Sequence, residues 1–201
     1  MSNPSVLVIA SGNAGKVREF GHLLADLGLE IRAQPEGFVV EENGSTFAAN
    51  ARLKASAVAL ATGHWALADD SGLCVEALGG APGVHSARYA ANDEARIQRL
   101  LDELEHVRNS TGSDNRRAAF VAALAIADPS GKICIETEGR CPGEILNRPR
   151  GLDGFGYDPI FYVPEARQTF AEMDKTVKGE IGHRGRAFAD LKKMLQPTIK
   201  A

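Results

Sequence analysis

Residues 6–10, Val-Leu-Val-Ile-Ala, are apolar without a break. A run of this kind is a strand covered on both faces, because a strand with one wet face would alternate. Ser11-Gly12-Asn13-Ala14-Gly15 turns the chain directly after it. A helix is predicted from about residue 16, with Val17, Phe20, Leu23, Leu24 and Leu27 on one face and Gly28 as its stop. A short strand follows over 31–33, and then a loop over 35–44 that carries Glu41 and Glu42. Ser45 or Thr46 caps a second helix that runs to about residue 61 and ends at Gly63. Phe47, Ala51, Ala55 and Val58 form its packing stripe, and Asn50 and Lys54 share a different face.

A strand over 65–68 is expected to end in a turn at Asp69-Asp70-Ser71-Gly72, and Gly79-Gly80-Ala81-Pro82-Gly83 turns the chain again. Asn92 caps a helix near 93–107 with Ile97, Leu100, Leu101 and Leu104 inward. Residues 107–117 read as a polar loop. The apolar run 118–127 is a long strand, and Asp128-Pro129-Ser130-Gly131 turns it into a returning strand over 132–139. A Gly- and Pro-rich stretch over 141–156 precedes an apolar segment at 160–163. A last helix begins near residue 184, with Phe188, Leu191 and Leu195 inward. Strands and helices interleave and a hairpin is present, so the chain predicts a mixed α/β sheet. No repeat or linker divides it, and residues 1–201 read as a single domain.

The hydrophobic and charged fractions, 44% and 24%, are those of an ordinary globular protein. A net charge of −3 gives no sign of a nucleic-acid or membrane partner, although a local basic pocket for a small anion is invisible in such a sum. Cys74, Cys134 and Cys141 are odd in number and lack paired metal-site spacing, so they read as reduced thiols. The first apolar run is far too short for a signal peptide or a membrane span, and the expected location is cytoplasmic.

Asp69-Asp70 beside a strand end suits a hard cation or a general base, or else a solvated turn. Ser11 to Lys16, between a buried strand and a helix start, suits anion binding through backbone N–H groups, with Lys16 as a point charge. It is not a P-loop: Ala10 stands where the first glycine belongs, and Val17 where the hydroxyl belongs. Glu42 can share a magnesium ion with Asp70, since that ion takes one or two carboxylates and leaves other positions to phosphate. Glycines on both sides of Phe155 free its ring to lie on a flat base, with Asp158 accepting from a base N–H, or else the segment is a Gly/Pro turn with a buried aromatic. Lys178, His183, Arg184 and Arg186 cluster before the last helix, where cations fit poorly unless a ligand supplies an acceptor. Asp70-Ser71-Gly72 occurs once on a partly helical chain, which argues against an aspartic protease. Asp69 occupies the first glycine position of a serine nucleophile elbow.

In order, the chain reads Ser-Gly-Asn-X-Gly-Lys after a strand, Glu-Glu, Thr-Phe-X-X-Asn-Ala, Asp-Asp-Ser-Gly-Leu, Gly-Gly-Ala-Pro-Gly, Ser-Ala-Arg-Tyr, Gly-Phe-Gly-Tyr-Asp-Pro and His-Arg-Gly. This resembles the inosine triphosphate pyrophosphatase family over about residues 6–195. The resemblance implies an α/β fold with an elongated mixed β-sheet flanked by helices, and two lobes with a nucleotide cleft between them. It implies a homodimer that uses magnesium to hydrolyse ITP, dITP and XTP to the monophosphate and pyrophosphate. By position it assigns the phosphate turn to Ser11, Gly12, Asn13, Ala14, Gly15 and Lys16, and metal ligation to Glu42 and Asp70, with Asp70 also the base for water. Ser71 matches a substrate contact, and Phe155, Gly156, Tyr157 and Asp158 match the base-binding segment. Lys178, His183 and Arg184 match the remaining nucleotide contacts. On this reading Lys54 joins Lys16 on the triphosphate. The family's usual Ser-His-Arg is Gly182-His183-Arg184 here, so a hydroxyl is missing and the Gly182 N–H is the group left to replace it. A Maf-like pyrophosphatase of other base preference and a non-enzymatic purine-nucleotide-binding module are the alternatives.

Overall fold

A computed structural model describes residues 5–199. Its seven strands form one sheet in the order β2-β1-β3-β4-β5-β6-β7. β1 (Val6–Ile9) is central to β2 (Glu30–Ala33) and β3 (Trp65–Val75) and runs parallel to both. β4 (Arg117–Ala127) and β5 (Ile133–Ile145) are joined by the 128–132 turn, a connection short enough only for antiparallel neighbours. β6 (Phe161–Val163) pairs antiparallel with β5, and β7 (Gln168–Thr169) with β6. The mixed sheet expected from the interleaved pattern is present.

The chain divides into two compact units. The first comprises Met1–Asp70, Ala122–Glu138 and Ala187–Ala201. Its helices are α1 (Ala14–Leu23), α2 (Phe47–Thr62) and most of α5 (His183–Ile199). Its core joins Leu7, Ile9, Phe20, Leu24, Leu67, Leu124 and Ile126 to Phe188, Leu191 and Leu195, and Phe20 meets Phe188 edge to face at 4.7 Å. Thr46 caps α2 through the Ala49 N–H, and Gly63 ends it at φ 67°. The stripe Phe47, Ala51, Ala55 and Val58 is buried, as its spacing predicts.

The second unit comprises Ser71–Val121 and Gly139–Arg186. It holds α3 (Asp93–Thr111) and the short α4 (Lys175–Ile181). Leu73, Val75, Leu100, Leu104, Phe120, Phe161 and Phe170 fill its core. The thiol of Cys141, buried there, is pushed up to about 11 by loss of solvent, while Cys134 is exposed.

Four elements depart from the sequence reading. α1 begins at Ala14 because Asn13 caps it, accepting from the Gly15 and Lys16 N–H groups. β3 does not turn at Asp69-Gly72 but continues to Val75. Gly72 serves close approach there: a Cβ would lie 2.8 Å from the Gly83 carbonyl oxygen and 2.9 Å from Ser86 Cβ. α3 runs to Thr111, where Gly112 at φ 73° ends it, so only a short polar loop precedes β4. β5 extends through the Gly/Pro stretch to Ile145, with Gly139, Cys141 and Gly143 alternating inward. A Cβ on Gly143 would meet the Phe161 ring at 2.6 Å, so packing requires the small residue.

Candidate active site

In the first unit, the polar side chains gather around the middle of β3. Successive strand residues face opposite sides, and this splits the adjacent carboxylates. Asp69, 3% exposed, turns to α1 and accepts from Lys16 Nζ at 2.7 Å. Asp70 turns to α2, where Asn50 Nδ2 donates to its Oδ2 at 2.9 Å and Lys54 Nζ lies 3.9 Å from its Oδ1. Lys54 Nζ also donates to Glu42 Oε1 at 2.6 Å. One ammonium therefore bridges the two carboxylates that the resemblance assigns to a metal. Burial raises the Asp70 carboxyl above its ordinary value, and the nearby Glu42 and Asp69 charges add to the rise. Lys54 and the Asn50 hydrogen bond oppose it.

The 11–16 turn sits at the end of β1. Asn13 Oδ1 accepts from Gly15 N at 2.8 Å and Lys16 N at 3.3 Å, and Asn13 N donates to Ser11 Oγ at 3.1 Å. Two of the amides expected to face an anion thus complete the helix cap. Ser11, Gly12 and Ala14 line a groove of about 570 Å³ with residues 33–39.

In the second unit, Asp158 is 3% exposed and its Oδ2 accepts from both Phe155 N at 2.9 Å and Lys178 Nζ at 2.6 Å. Asp158 therefore shapes the 155–158 loop and anchors Lys178, whose Nζ lies 4.9 Å from the Phe170 ring centre and 5.4 Å from that of Phe155. The Phe155 ring is 66% exposed, an unusual state for a large aromatic side chain. Tyr157, whose phenol is raised by burial, donates to the Ser86 carbonyl at 3.1 Å. Gly156 N donates to Asp93 Oδ2 at 2.7 Å. His183 opens α5 and stacks on Phe120 at 4.9 Å and 18°, and Arg184 Nη2 donates to Ser71 Oγ at 3.3 Å.

In the first unit the predicted residues thus form two groups on opposite faces of β3, Lys16 with Asp69 and Lys54 with Glu42 and Asp70; in the second, Lys178 meets Asp158 and Phe155, and Arg184 meets Ser71. Sequence reasoning missed Asp93 and the part played by Asn50. Asp93 read only as a helix start, and no local pattern announces a partner 63 residues away. One expectation needs correction: the Gly182 N–H cannot simply replace the missing hydroxyl, because it donates to the Lys178 carbonyl at 3.0 Å and closes the end of α4. His183→Ala removes a stacked, 9% exposed ring and is expected to lower Tm as well as raise the KM for a purine nucleotide. Thermal melts and steady-state kinetics on one preparation check both. A changed KM with an unchanged Tm would mean that the stack contributes nothing to the fold.

The chain is 60% identical over 195 residues to the dITP/XTP pyrophosphatase of Parasynechococcus marenigrum (strain WH8102), covering 97% of each chain. A HAM1 protein from Coxiella burnetii superposes with a TM-score of 0.90 at 42% identity, covering 96% of this chain and all of that one. The Staphylococcus aureus Ham1 protein gives 0.86 at 41%, covering 96% and 99%. Residues 7–194 match the Ham1 family, and the chain belongs to that family.

Proposed function

We propose that this protein is a pyrophosphatase that hydrolyses the non-standard purine nucleoside triphosphates ITP, dITP and XTP to the monophosphate and pyrophosphate. The observation that carries the reading is the convergence of Glu42, Asp70 and Lys54. Two carboxylates with one ammonium between them suit a chemistry that needs charge neutralisation and an oriented water more than a covalent nucleophile. Relatives named for dITP and XTP hydrolysis support it at nearly full length.

The donor set suits magnesium. Both groups are hard oxygen ligands that meet around one cation, and among the described residues no cluster of three or more His, Cys, Asp or Glu forms a closed protein cage. Magnesium uses such open sets and completes its shell with water and phosphate oxygens. When bound it supplies charge neutralisation at the phosphates. Lys16 and Lys54 hold the triphosphate oxygens. Asp70 orients a water molecule and takes its proton as the water oxygen bonds to phosphorus and the bond to the leaving phosphate oxygen breaks. Its place on β3, held by Asn50 and beside Glu42 and Lys54, makes it the group positioned for that proton.

Base recognition falls to the second unit. The exposed Phe155 face suits stacking on a purine, and Lys178, His183 and Arg184 supply donors for a 6-oxo group. Adenine would set its amino group against those donors, a mismatch that discriminates by roughly 10⁴. Among the described residues no helix is long and apolar enough to cross a membrane. We assign the enzyme to the cytoplasm and, by resemblance, to a homodimer.

Pyrophosphate release from ITP, XTP, GTP, ATP and dTTP, with and without magnesium, tests the reading. Magnesium-dependent release from ITP and XTP, with little from ATP and GTP, is expected. Preference for dTTP would favour a Maf-like activity. Binding without release would leave a nucleotide-binding module.

A further inference from the structure

We infer that Asn50 is a positioning residue, one that sets the distance between the Glu42 loop and Asp70 and so preorganises the cation site. The inference rests on the function proposed above.

Asn50 is a fully buried amide on α2, with 0% exposure. Both ends of its side chain are used. Oδ1 accepts from Gly44 N at 2.8 Å, and Nδ2 donates to Asp70 Oδ2 at 2.9 Å. Gly44 lies two residues after Glu42, in a segment with neither helix nor strand to fix it. The Asn50–Gly44 bond ties that segment to α2. A Cβ on Gly44 would stand 2.6 Å from Asn50 Oδ1, so the close approach needs glycine. One helical turn on, Lys54 bonds Glu42 itself. Two neighbouring side chains of a rigid helix thus reach both the loop and the strand.

The carboxamide is suited to this. It presents an acceptor to a backbone N–H and a donor to a carboxylate in a single planar unit. An apolar residue of the same size would make neither bond, and Asp would set a second carboxylate against Asp70. Because Oδ2 of Asp70 is held by Asn50, its Oδ1 is left on the side of Lys54 and Glu42, where a cation would sit. Partners that orient ligands in this way typically carry a 10–100-fold effect on metal affinity or activity.

The test uses full-length protein, Mn²⁺ as the probe read by the loss of its free-ion paramagnetic signal, and pyrophosphate release from ITP at saturating metal. Asn50→Ala is expected to weaken Mn²⁺ binding by tenfold or more. Asn50→Asp keeps the size and the acceptor for Gly44, so the tie to the Glu42 loop survives where the alanine variant loses it, and a melt of each variant reads its folding separately. Asn50→Asp is expected to retain Mn²⁺, because it adds a charge, yet to lose tenfold or more in kcat, because Asp70 is no longer held. A residue that served the fold alone would not separate affinity from turnover in this way. Variants matching wild type in both readouts overturn the inference while the function stands. A wild-type protein that neither retains Mn²⁺ nor releases pyrophosphate overturns both.

Discussion

Asp70→Asn is expected to reduce pyrophosphate release from ITP by about 10³-fold or more while ITP binding survives. General-base catalysis alone typically contributes about 10²–10⁴-fold, and this substitution also removes a charge from the cation site. The fold should not suffer. Asparagine can still accept from Asn50 Nδ2 through its own oxygen, and the Lys54 ammonium stands a loose 3.9 Å from the carboxylate. The sign of the pH effect follows from burial. The Asp70 carboxyl is raised in the folded state, so its contribution to stability is fully present below the ordinary aspartate value and is lost as pH rises through the raised one. Without metal, the asparagine variant should therefore equal wild type in acid and match or exceed its Tm at neutral pH. Kinetics and melts at several pH values measure both. Normal turnover by the variant would remove Asp70 from the chemistry. A lower Tm confined to neutral pH would reverse the assigned direction of its shift.

The parts of the fold visible in the sequence are those in which local signals agree. α2 carries a Thr cap, an alanine-rich body, an apolar stripe and a glycine stop, and it forms where those signals place it. β1, apolar throughout, and β4, apolar after Arg117, do the same. The two strand misses, β3 and β5, have a common cause: small or charged residues placed by tertiary packing. β3 looks finished at Ala68 because carboxylates, serine and glycine resemble a turn. The strand continues because Lys16 neutralises Asp69 and because Gly72 admits the segment that carries Ser86. The alternation in β5 is regular, but its inward positions are Gly139, Cys141 and Gly143, which carry little hydrophobic signal. The small size of Gly143 is set by Phe161, which no local window contains.

Residue types in the site are legible, and partnerships are not. The order of motifs selects Lys16, Glu42, Lys54, Asp70, Asp158 and Lys178. It does not say that Asp158 spends one oxygen on both Lys178 and the Phe155 N–H, or that Asn13 caps the turn proposed for phosphate. Strand alternation separates Asp69 from Asp70 only once the strand is extended through them.

That separation gives Lys16 two tasks, and they can be pulled apart. It closes the Ser11–Lys16 segment, where a phosphate is proposed, and it is a counter-ion of Asp69, whose side chain is 2% exposed against 28% for Lys16. Removing one partner of a buried pair costs about 3–5 kcal/mol, and the partial exposure of Lys16 moves the expectation to the low end or just below, about 2–3 kcal/mol. For a chain of this length that corresponds to roughly 5–10 °C in Tm. Lys16→Met keeps the apolar stem and should show this loss together with a rise of tenfold or more in the KM for ITP. Adding Asp69→Asn removes the buried charge that Lys16 neutralises. The double variant is expected to recover most of the Tm and none of the KM, because no cation returns to the phosphate. Melts and kinetics on the wild type, both single variants and the double close the cycle. Lys16→Met melting with wild type would deny the pair its structural role. A double variant with restored KM would mean that the Asp69 charge, rather than the absence of the ammonium, had repelled the nucleotide.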